Sequence, residues 1–229
     1  MPFDIQLKTG RFRFSTLADV RTFWCVFFSR IYGVKETDRL IVDAGANIGS
    51  FTLYALLQAP QSCVIAIEPA PDTCSRLREL LEEHGLSERC TIHQAALGSQ
   101  IGTTTIDLTP ESQFRSTGTG STCVPVFTLD AVVRHAEVDM LKLDIEGAEY
   151  SVLAEDSPRC LRQVQRISME FHPNGSLAEL TAPLERAGLK CISVRDDGNA
   201  YGLALFERVS VSEFEPEQRQ TAKAQAAAA

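Results

Sequence analysis

The chain has 229 residues, of which 44% are hydrophobic and 23% are charged. This length suits one globular α/β domain, and this composition argues against a disordered or membrane-spanning protein. Acidic residues outnumber basic ones by 30 to 22 and no Lys/Arg-rich run is present, so nucleic acid is not an expected partner. The N-terminus lacks the basic start and apolar stretch of an export signal, and the seven cysteines are scattered singly. We therefore expect a cytoplasmic protein with reduced thiols and no membrane partner.

Three parts are predicted along the chain. Residues 1–36 contain an apolar run at 17–28 with a strongly aromatic face, which predicts a helix that caps a pocket or makes a subunit contact. A homodimer through this helix is one consequence. Residues 37–209 are predicted to form the main domain, and the polar, Ala-rich stretch 210–229 is predicted to be a flexible tail.

A strand, a glycine turn and a helix are predicted in succession from residue 40. An apolar strand ends at Asp43, Gly45 and Gly49 form the turn, and a helix-like run follows. Such a turn lets the backbone approach a ligand, and the helix offers unpaired N–H groups at its first turn. A dinucleotide turn needs glycines where this chain has Asn47 and Ser50, so a pyrophosphate ligand is disfavoured.

Glu68 indicates the kind of ligand that this turn accepts. It follows a second apolar strand at 64–67, where an acid is placed to accept both hydroxyls of a ribose. The glycine turn after the first strand suits a ligand that has no pyrophosphate but has an amine that can pair with a carboxylate of the protein. S-adenosylmethionine meets both conditions, so we predict that it binds across these two strand ends. The alternative is tight strand-to-helix packing at the turn and a solvated strand end at Glu68.

Strands and helices alternate along the rest of the chain. Strands are predicted over 91–97, 138–143 and 166–172, helices over 72–84, 129–135, 148–154 and 176–187, a long loop over 99–125, and a hairpin over 190–208. Continuous apolar strands separated by helices predict a parallel sheet covered on both faces. The expected fold is therefore α/β, a class I methyltransferase Rossmann-like doubly wound sheet, mostly parallel with a C-terminal antiparallel hairpin.

Several motifs resemble the FkbM family of S-adenosylmethionine-dependent methyltransferases. They are Val42–Gly49, Ala66–Pro69, Ala96–Gly98, Thr128–Asp130, Leu141–Glu149 and the strand end Met169–His172. The resemblance spans roughly residues 38 to 208. It implies a seven-stranded sheet with a terminal hairpin, and methyl transfer to an oxygen of a small-molecule or natural-product acceptor.

The resemblance also implies which residues bind the cofactor. The loop after the first strand would hold the methionyl part, the second strand end would hold the ribose, and the third would lie near the adenine. In this order the residues are Asp43, Gly45, Asn47 and Gly49, then Glu68, then Gln94 and Ala95, with Asp144 expected beside the cofactor loop.

Four residues near strand ends are candidates for aligning the acceptor and removing its proton: Asp144, Glu146, Glu170 and His172. His172 suits a general base because its ordinary pKa lies near neutrality. Each has a structural alternative. His172 could bond a loop carbonyl, Glu146 could stabilise a helix N-terminus, and Lys142 within a strand is expected to pair with a neighbouring acid.

Two further hypotheses concern the acceptor. Asp144, Glu170 and His172 could supply ligands for a divalent cation, which we rank behind a metal-free base. If the acceptor is a carboxylate, no proton has to be removed, and Arg115 in the long loop could anchor it by bidentate pairing.

Two other classes of function compete with methyl transfer. A nicotinamide-dependent oxidoreductase is disfavoured by Asn47 and Ser50, which stand where the dinucleotide turn needs glycine. A non-catalytic nucleoside-binding module is disfavoured by the acid-rich turn at 144–149.

Overall fold

The structure is a computed structural model and describes residues 3–108, 117–118, 120–154, 158–196 and 201–209. The strands are β1 (Phe3–Gln6), β2 (Arg11–Phe14), β3 (Leu40–Ala44), β4 (Cys63–Ile67), β5 (Cys90–His93), β6 (Ala96–Leu97), β7 (Gly102–Ile106), β8 (Thr122–Phe127), β9 (Met140–Leu143), β10 (Arg166–Phe171), β11 (Leu189–Asp196) and β12 (Gly202–Arg208). The α-helices are α1 (Leu17–Phe27), α2 (Ser50–Gln58), α3 (Pro71–Glu83), α4 (Leu129–Val133), α5 (Glu149–Val152) and α6 (Leu177–Arg186).

The main sheet has seven strands in the order β11-β12-β10-β9-β3-β4-β5. The pairs from β10 to β5 are parallel, and β12 is antiparallel to both β10 and β11. This confirms the predicted fold, including the terminal hairpin. The strand order reverses at β3, which is where open α/β sheets bind ligands beyond the carboxyl ends of their strands.

Apolar side chains cover both faces of this sheet. Consecutive residues of a strand point to opposite faces, so Val42 packs with the residues of α4 and α6 while Ile41 packs with those of α2 and α3. Both side chains are fully buried. The sheet is therefore a rigid central layer, and the side chains at its strand ends are held by packing on either side.

The N-terminal segment adds a hairpin that the sequence analysis did not predict. Strands β1 and β2 pair antiparallel, and α1 follows as predicted. Phe12 and Phe14 of β2 are buried and lie 4.8 Å and 5.3 Å, between ring centroids, from Phe23 of α1. The hairpin was missed because each strand has only four residues, too few to show a periodic pattern.

Asp19 fixes the start of α1 and joins it to α3. The Thr16 hydroxyl accepts a hydrogen bond from the Asp19 N–H, and Asp19 accepts in return from the backbone N–H groups of Ser15 and Thr16. Arg76 of α3 donates to the same carboxylate at 2.7 Å. Burial alone would raise the pKa of Asp19, but these hydrogen bonds and the charge of Arg76 outweigh it and lower the pKa.

A second, three-stranded sheet replaces two predicted features. The predicted strand at 91–97 breaks at Gln94, so that its two halves, β5 and β6, belong to different sheets. The predicted loop at 99–125 contains β7 and most of β8, which pair with each other and with β6. Its many Ser, Thr and Gly residues favoured a loop, but Ile106 and Val124 are buried and give the small sheet a core of its own.

Several predicted features of the surface and the termini stay predictions. All seven cysteines are free thiols, and no helix among the described residues is long and apolar enough to cross a membrane. Leu17 and Trp24 of α1 are exposed, as is Phe28 directly after it, in the segment through which a homodimer was predicted. The cytoplasmic location, the dimer and the boundaries at residues 36 and 209 are untested. The tail at 210–229 and the hairpin turn at 197–199 lie outside the described residues.

We expect Asp19→Asn to destabilise the protein by about 1–3 kcal/mol at pH 7, because it removes a helix cap and an ion pair together. A lowered pKa in the folded state gives stability that is present above the unfolded pKa of about 4 and is lost as the pH falls through the folded pKa. The difference between wild type and variant should therefore shrink below pH 4. Urea unfolding from pH 7 to pH 3 measures it.

Asp4→Asn is the control for this measurement, because Asp4 pairs with Arg11 and Arg13 in a solvent-exposed cluster. Its effect should stay within about 0.5 kcal/mol. Equal losses in the two variants at pH 7 would contradict the role given to Asp19.

Candidate active site

Four parallel strands bring the predicted site residues to one edge of the sheet. Strands β3, β4, β9 and β10 are near neighbours and run in the same direction, so their carboxyl ends meet. Asp43 lies at the end of β3, Glu68 directly after β4, Asp144 directly after β9, and Glu170 at the end of β10. Residues that are far apart in the sequence therefore form one cluster.

Lys142 lies at the centre of this cluster. Its ammonium nitrogen is 3.3 Å from Asp43 Oδ1 and 3.2 Å from Asp144 Oδ2, and it donates to the Gly45 carbonyl at 3.0 Å. The predicted pairing of Lys142 with a neighbouring acid is confirmed, and two acids take part. Burial alone would lower the pKa of Lys142, but the charges of Asp144 and Asp43 outweigh it and raise the pKa. The side chain is therefore a permanent cation.

Asp43 lies behind the glycine loop. Its side chain is fully buried, and besides Lys142 it accepts a hydrogen bond from the Thr52 hydroxyl at 2.6 Å. The sequence analysis assigned this carboxylate to the amine of a ligand. The structure supports a different role for Asp43. Because this carboxylate is fully buried and paired with Lys142, it affects a ligand through the loop that it stabilises.

The two glycines of the loop are explained by contacts within the protein. Gly45 has φ +80°, and a Cβ at this position would lie 1.7 Å from the Asp144 carbonyl oxygen. Gly49 has φ +92°, and its Cβ would lie 2.3 Å from Leu77 of α3. These contacts are enough to require glycine at both positions, and the approach of the loop to a ligand stays a prediction. Glycine lets the loop pass directly over the end of β9 and under α3.

Glu68 ties the end of β4 to the same loop. Its carboxylate accepts hydrogen bonds at 2.9 Å from the backbone N–H groups of Asn47 and Ala70 and from the Thr73 hydroxyl. The residue is 8% exposed, so the carboxylate is fixed rather than free in solvent. A carboxylate has about four acceptor positions. An oriented acid at this place is the group that a ribose diol would need.

The loop itself has polar atoms that fit a bound ligand. Among the described residues, the buried Asn47 Oδ1 and Ser50 Oγ have no hydrogen-bond partner. A buried polar atom without a partner costs about 1–3 kcal/mol. Gln94 is exposed and Ala95 is buried where the chain leaves β5, on the side of Glu68 away from the loop.

Glu170 is bonded to a residue from the N-terminal segment. The Tyr32 hydroxyl donates to Glu170 Oε1, and burial together with the charge of Glu170 raises the pKa of Tyr32, which stays a donor. Burial and the nearby charge of Asp144 raise the pKa of Glu170 to about 7. A carboxyl group of this kind can take up and release a proton near neutral pH.

His172 is held between two glutamates. Nε2 lies 3.3 Å from Glu146 Oε2, and Nδ1 lies 3.2 Å from Glu149 Oε1. Burial alone would lower the pKa of His172, but both glutamates raise it, to about 10. The structure therefore does not support the expectation that His172 is a base with a pKa near neutrality. Tyr150 donates to the His172 carbonyl at 2.9 Å and fixes the backbone there.

The turn after β9 places Glu146 by an uncommon backbone conformation. Glu146 has φ +53°, a left-handed value that few residues other than glycine adopt. Burial raises the pKa of Glu146 in spite of its contact with His172. One ligand atom each from Asp144, Glu146 and His172 lies within 4.8 Å of the others. Glu170 is not in that group, so the predicted cation site is corrected by one residue.

Some residues of the site were not found from the sequence, and one prediction lies outside the described residues. Tyr32 was missed because it stands 138 residues from Glu170 and belongs to no motif. Thr52 and Thr73 were missed because a hydroxyl that bonds a carboxylate leaves no pattern in a helix. Arg115, the predicted anchor for a carboxylate, lies outside the described residues.

The sheet order, the terminal hairpin and the acid-lined loop define a class I methyltransferase fold. A model of the methyltransferase FkbM domain matches residues 43–190. Because this match covers more than half of the chain, the protein belongs to the FkbM methyltransferase family. Membership removes the support for a nicotinamide-dependent oxidoreductase.

Known relatives and solved structures agree with this family and fold. Methyltransferase 1 of Beauveria bassiana is 31% identical over 79% of this chain and 85% of its own length. The 31-O-demethyl-FK506 methyltransferase FkbM of Streptomyces tacrolimicus is 25% identical, with 75% and 82% covered. Methyltransferase FkbM of Methylobacillus flagellatus superposes with a TM-score of 0.60 at 18% identity, over 81% of this chain and 47% of that one. Aeropyrum pernix fibrillarin, solved with natively bound S-adenosyl-L-methionine, gives 0.52 at 13% identity, with 90% and 81% covered.

We expect Gly45→Ala to destabilise the protein by at least about 3 kcal/mol, because the added methyl group combines left-handed strain with overlap on the backbone of β9. Gly33→Ala is the matched control. Gly33 has φ +71° but no atom within 4 Å of an added Cβ, so it should lose only about 1–2 kcal/mol. Urea unfolding of both variants measures the difference. Equal losses would contradict the close passage of the loop over β9.

Proposed function

We propose that the protein transfers a methyl group from S-adenosylmethionine to a hydroxyl oxygen of a small-molecule acceptor. This proposal rests on one observation: groups that suit a nucleoside and a carboxyl group that can accept a proton lie at the same edge of the sheet. An oriented acid and a loop with unpartnered polar atoms suit a nucleoside, and a carboxyl group with a pKa of about 7 lies at a neighbouring strand end.

The chain offers a separate group for each part of the cofactor. Glu68 would accept the ribose hydroxyls, and its bond to the Asn47 N–H keeps it facing the loop. The loop from Gly45 to Gly49 would hold the methionyl part, with Asn47 Oδ1 as an acceptor for its amine. Gln94 and Ala95 would flank the adenine. Asp43 and Lys142 hold the loop in place from below.

When bound, S-adenosylmethionine would supply a sulfonium methyl group for transfer to the acceptor oxygen, with a thioether as the leaving group. The protein has to align the acceptor and receive the proton of its hydroxyl. Glu170 suits the second task, because it is partly buried beside Asp144 and Lys142 and is held by Tyr32. His172 does not, because Glu146 and Glu149 keep its proton in place.

A carboxylate acceptor is the second candidate, and it would need no base. The contacts described above join four carboxylates to two cationic groups, Lys142 and His172, and Glu170 adds a fifth acid that is bonded to the neutral Tyr32 hydroxyl. An acceptor that adds another negative charge would be repelled there unless a further cation is present. The charge of the site therefore favours a neutral hydroxyl.

Cofactor binding is the first test. We expect wild-type protein to bind S-adenosylmethionine and S-adenosylhomocysteine in calorimetry with micromolar affinity, and Glu68→Gln to bind at least about tenfold more weakly, because the amide cannot accept both hydroxyls. Glu82→Gln, on the exposed face of α3, should bind like wild type. Circular dichroism checks the fold of both variants. Binding of NAD alone, or of neither adenosyl ligand, would overturn the proposal.

Transfer is the second part of the same test. A panel of hydroxyl and carboxyl acceptors is incubated with cofactor that carries a labelled methyl group. Mild alkali then separates the two candidates, since it releases methanol from a methyl ester and leaves a methyl ether intact. Alkali-stable label supports the hydroxyl acceptor. Alkali-labile label overturns it in favour of the carboxylate, and binding without any transfer would favour the non-catalytic module.

With a hydroxyl acceptor in hand, we expect Glu170→Gln to lower kcat by about 10²–10⁴-fold, because the amide cannot receive the acceptor's proton. Its affinity for S-adenosylmethionine should stay close to that of wild type. Glu207→Gln, in an exposed pair with Lys35, is the control and should leave kcat unchanged. An unchanged kcat in Glu170→Gln would remove this residue from the mechanism.

A further inference from the structure

Asp144, Glu146 and His172 form a group whose arrangement is not explained by cofactor binding. They come from the turn after β9 and the end of β10, and one ligand atom of each lies within 4.8 Å of the others. Asp144 and Glu146 are half-buried, and His172 is 8% exposed. Two carboxylate oxygens and one imidazole nitrogen therefore lie close enough together to bind one ion.

A buried carboxylate behind the imidazole is the second, independent observation. Glu149 is fully buried, and its Oε1 lies 3.2 Å from His172 Nδ1 and accepts from the Ile145 N–H at 2.8 Å. Histidine ligands of metal ions characteristically turn their other ring nitrogen to a carboxylate, which orients the ring and raises its basicity. Nδ1 lies on the side of Glu149 and Nε2 on the side of Glu146. A metal ion would bind Nε2 in place of the proton that it carries in the metal-free protein.

The fixed position of the ring supports the same conclusion. Tyr201 packs edge-on against the His172 ring at 5.6 Å between centroids, and Tyr150 bonds the His172 carbonyl. Among the described residues, Glu149 Oε2 has no hydrogen-bond partner although it is fully buried. A buried carboxylate in this state needs positive charge close by. The His172 imidazolium supplies it in the metal-free protein, and a metal ion bound at Nε2 in place of the proton would continue to supply it.

We propose that Asp144, Glu146 and His172 bind a divalent metal ion, with Glu149 as the carboxylate that orients His172. Carboxylate oxygens suit Mg²⁺ and Mn²⁺, and the single imidazole favours Mn²⁺ over Ca²⁺. The proposal deepens the proposed function and rests on it for the role of the ion. The ion would bind the acceptor's oxygen, make its hydroxyl more acidic and offset the excess of carboxylates at this edge.

The test is a calorimetric titration of MnCl₂ into metal-stripped protein without cofactor. We expect one saturable site, weakened at least about tenfold in His172→Asn and in Glu146→Gln, and about 10–100-fold in Glu149→Gln, which removes the orienting carboxylate. Glu82→Gln, an exposed acid-to-amide control on α3, should bind like wild type. Absence of saturable binding, or equal affinity in wild type and the three variants, would overturn the proposal.

A measurement on wild-type protein covers the case in which these variants fail to fold. The chain has four histidines, so their ring signals can be separated by NMR after labelling with ¹⁵N. Paramagnetic Mn²⁺ at a fraction of one equivalent should broaden the His172 signals before those of His84, His93 and His135. Broadening of another histidine first, or of all four together, would overturn the site.

Failure of this proposal can be distinguished from failure of the proposed function. S-adenosylmethionine is titrated into the same protein in the presence of EDTA. Cofactor binding without Mn²⁺ binding would overturn the metal site and leave the methyltransferase proposal intact. Mn²⁺ binding that depends on His172, without binding of any adenosyl ligand, would support the metal site and overturn the proposed function.

Discussion

The buried ammonium of Lys142 is the interaction on which the site depends. It pairs with Asp43 at the end of β3 and Asp144 after β9, and it bonds the Gly45 carbonyl of the loop. Tyr32 and Phe51 place their rings 5.8 Å from it, so water is largely excluded. Burying such charges costs several kcal/mol per ion, and only the combined pairing offsets it. Two strands and the loop are therefore held in a single arrangement, because removing Lys142 would leave Asp43 and Asp144 without their shared cationic partner.

This arrangement sets the proton chemistry of the neighbouring groups. The charge of Asp144 and burial raise the pKa of Glu170 to about 7, while Lys142 and the Tyr32 hydroxyl act in the opposite direction. On the other side of the turn, Glu146 and Glu149 raise the pKa of His172 to about 10. Glu170 and His172, which stand two residues apart at the end of β10, are thus driven to different protonation states. Environment, rather than residue type, decides which of them can accept a proton near neutral pH.

The fold and the main strand ends could be predicted from the sequence because they depend on local patterns. Continuous apolar strands and the glycine loop motif each lie within a short stretch of sequence, and the predicted sheet is confirmed. The β1–β2 hairpin and the β6–β8–β7 sheet could not be predicted, because their strands are short and their burial comes from partners distant in the chain. For the same reason the role expected of His172 did not follow from its ordinary pKa. Glu149 and Glu146 alter it through contacts that only folding creates.

The glycine loop shows how the same residues can satisfy a motif and a packing constraint. Gly45 is required where the loop crosses the Asp144 carbonyl, and Gly49 where it meets Leu77. These contacts fix the position of the loop relative to β9 and α3 before any ligand binds. Asn47, between the two glycines, also has a left-handed φ of +50° and leaves its buried Oδ1 without a partner among the described residues. Preorganisation of this kind lowers the cost of binding, since the polar atoms that a ligand needs are already ordered when it arrives.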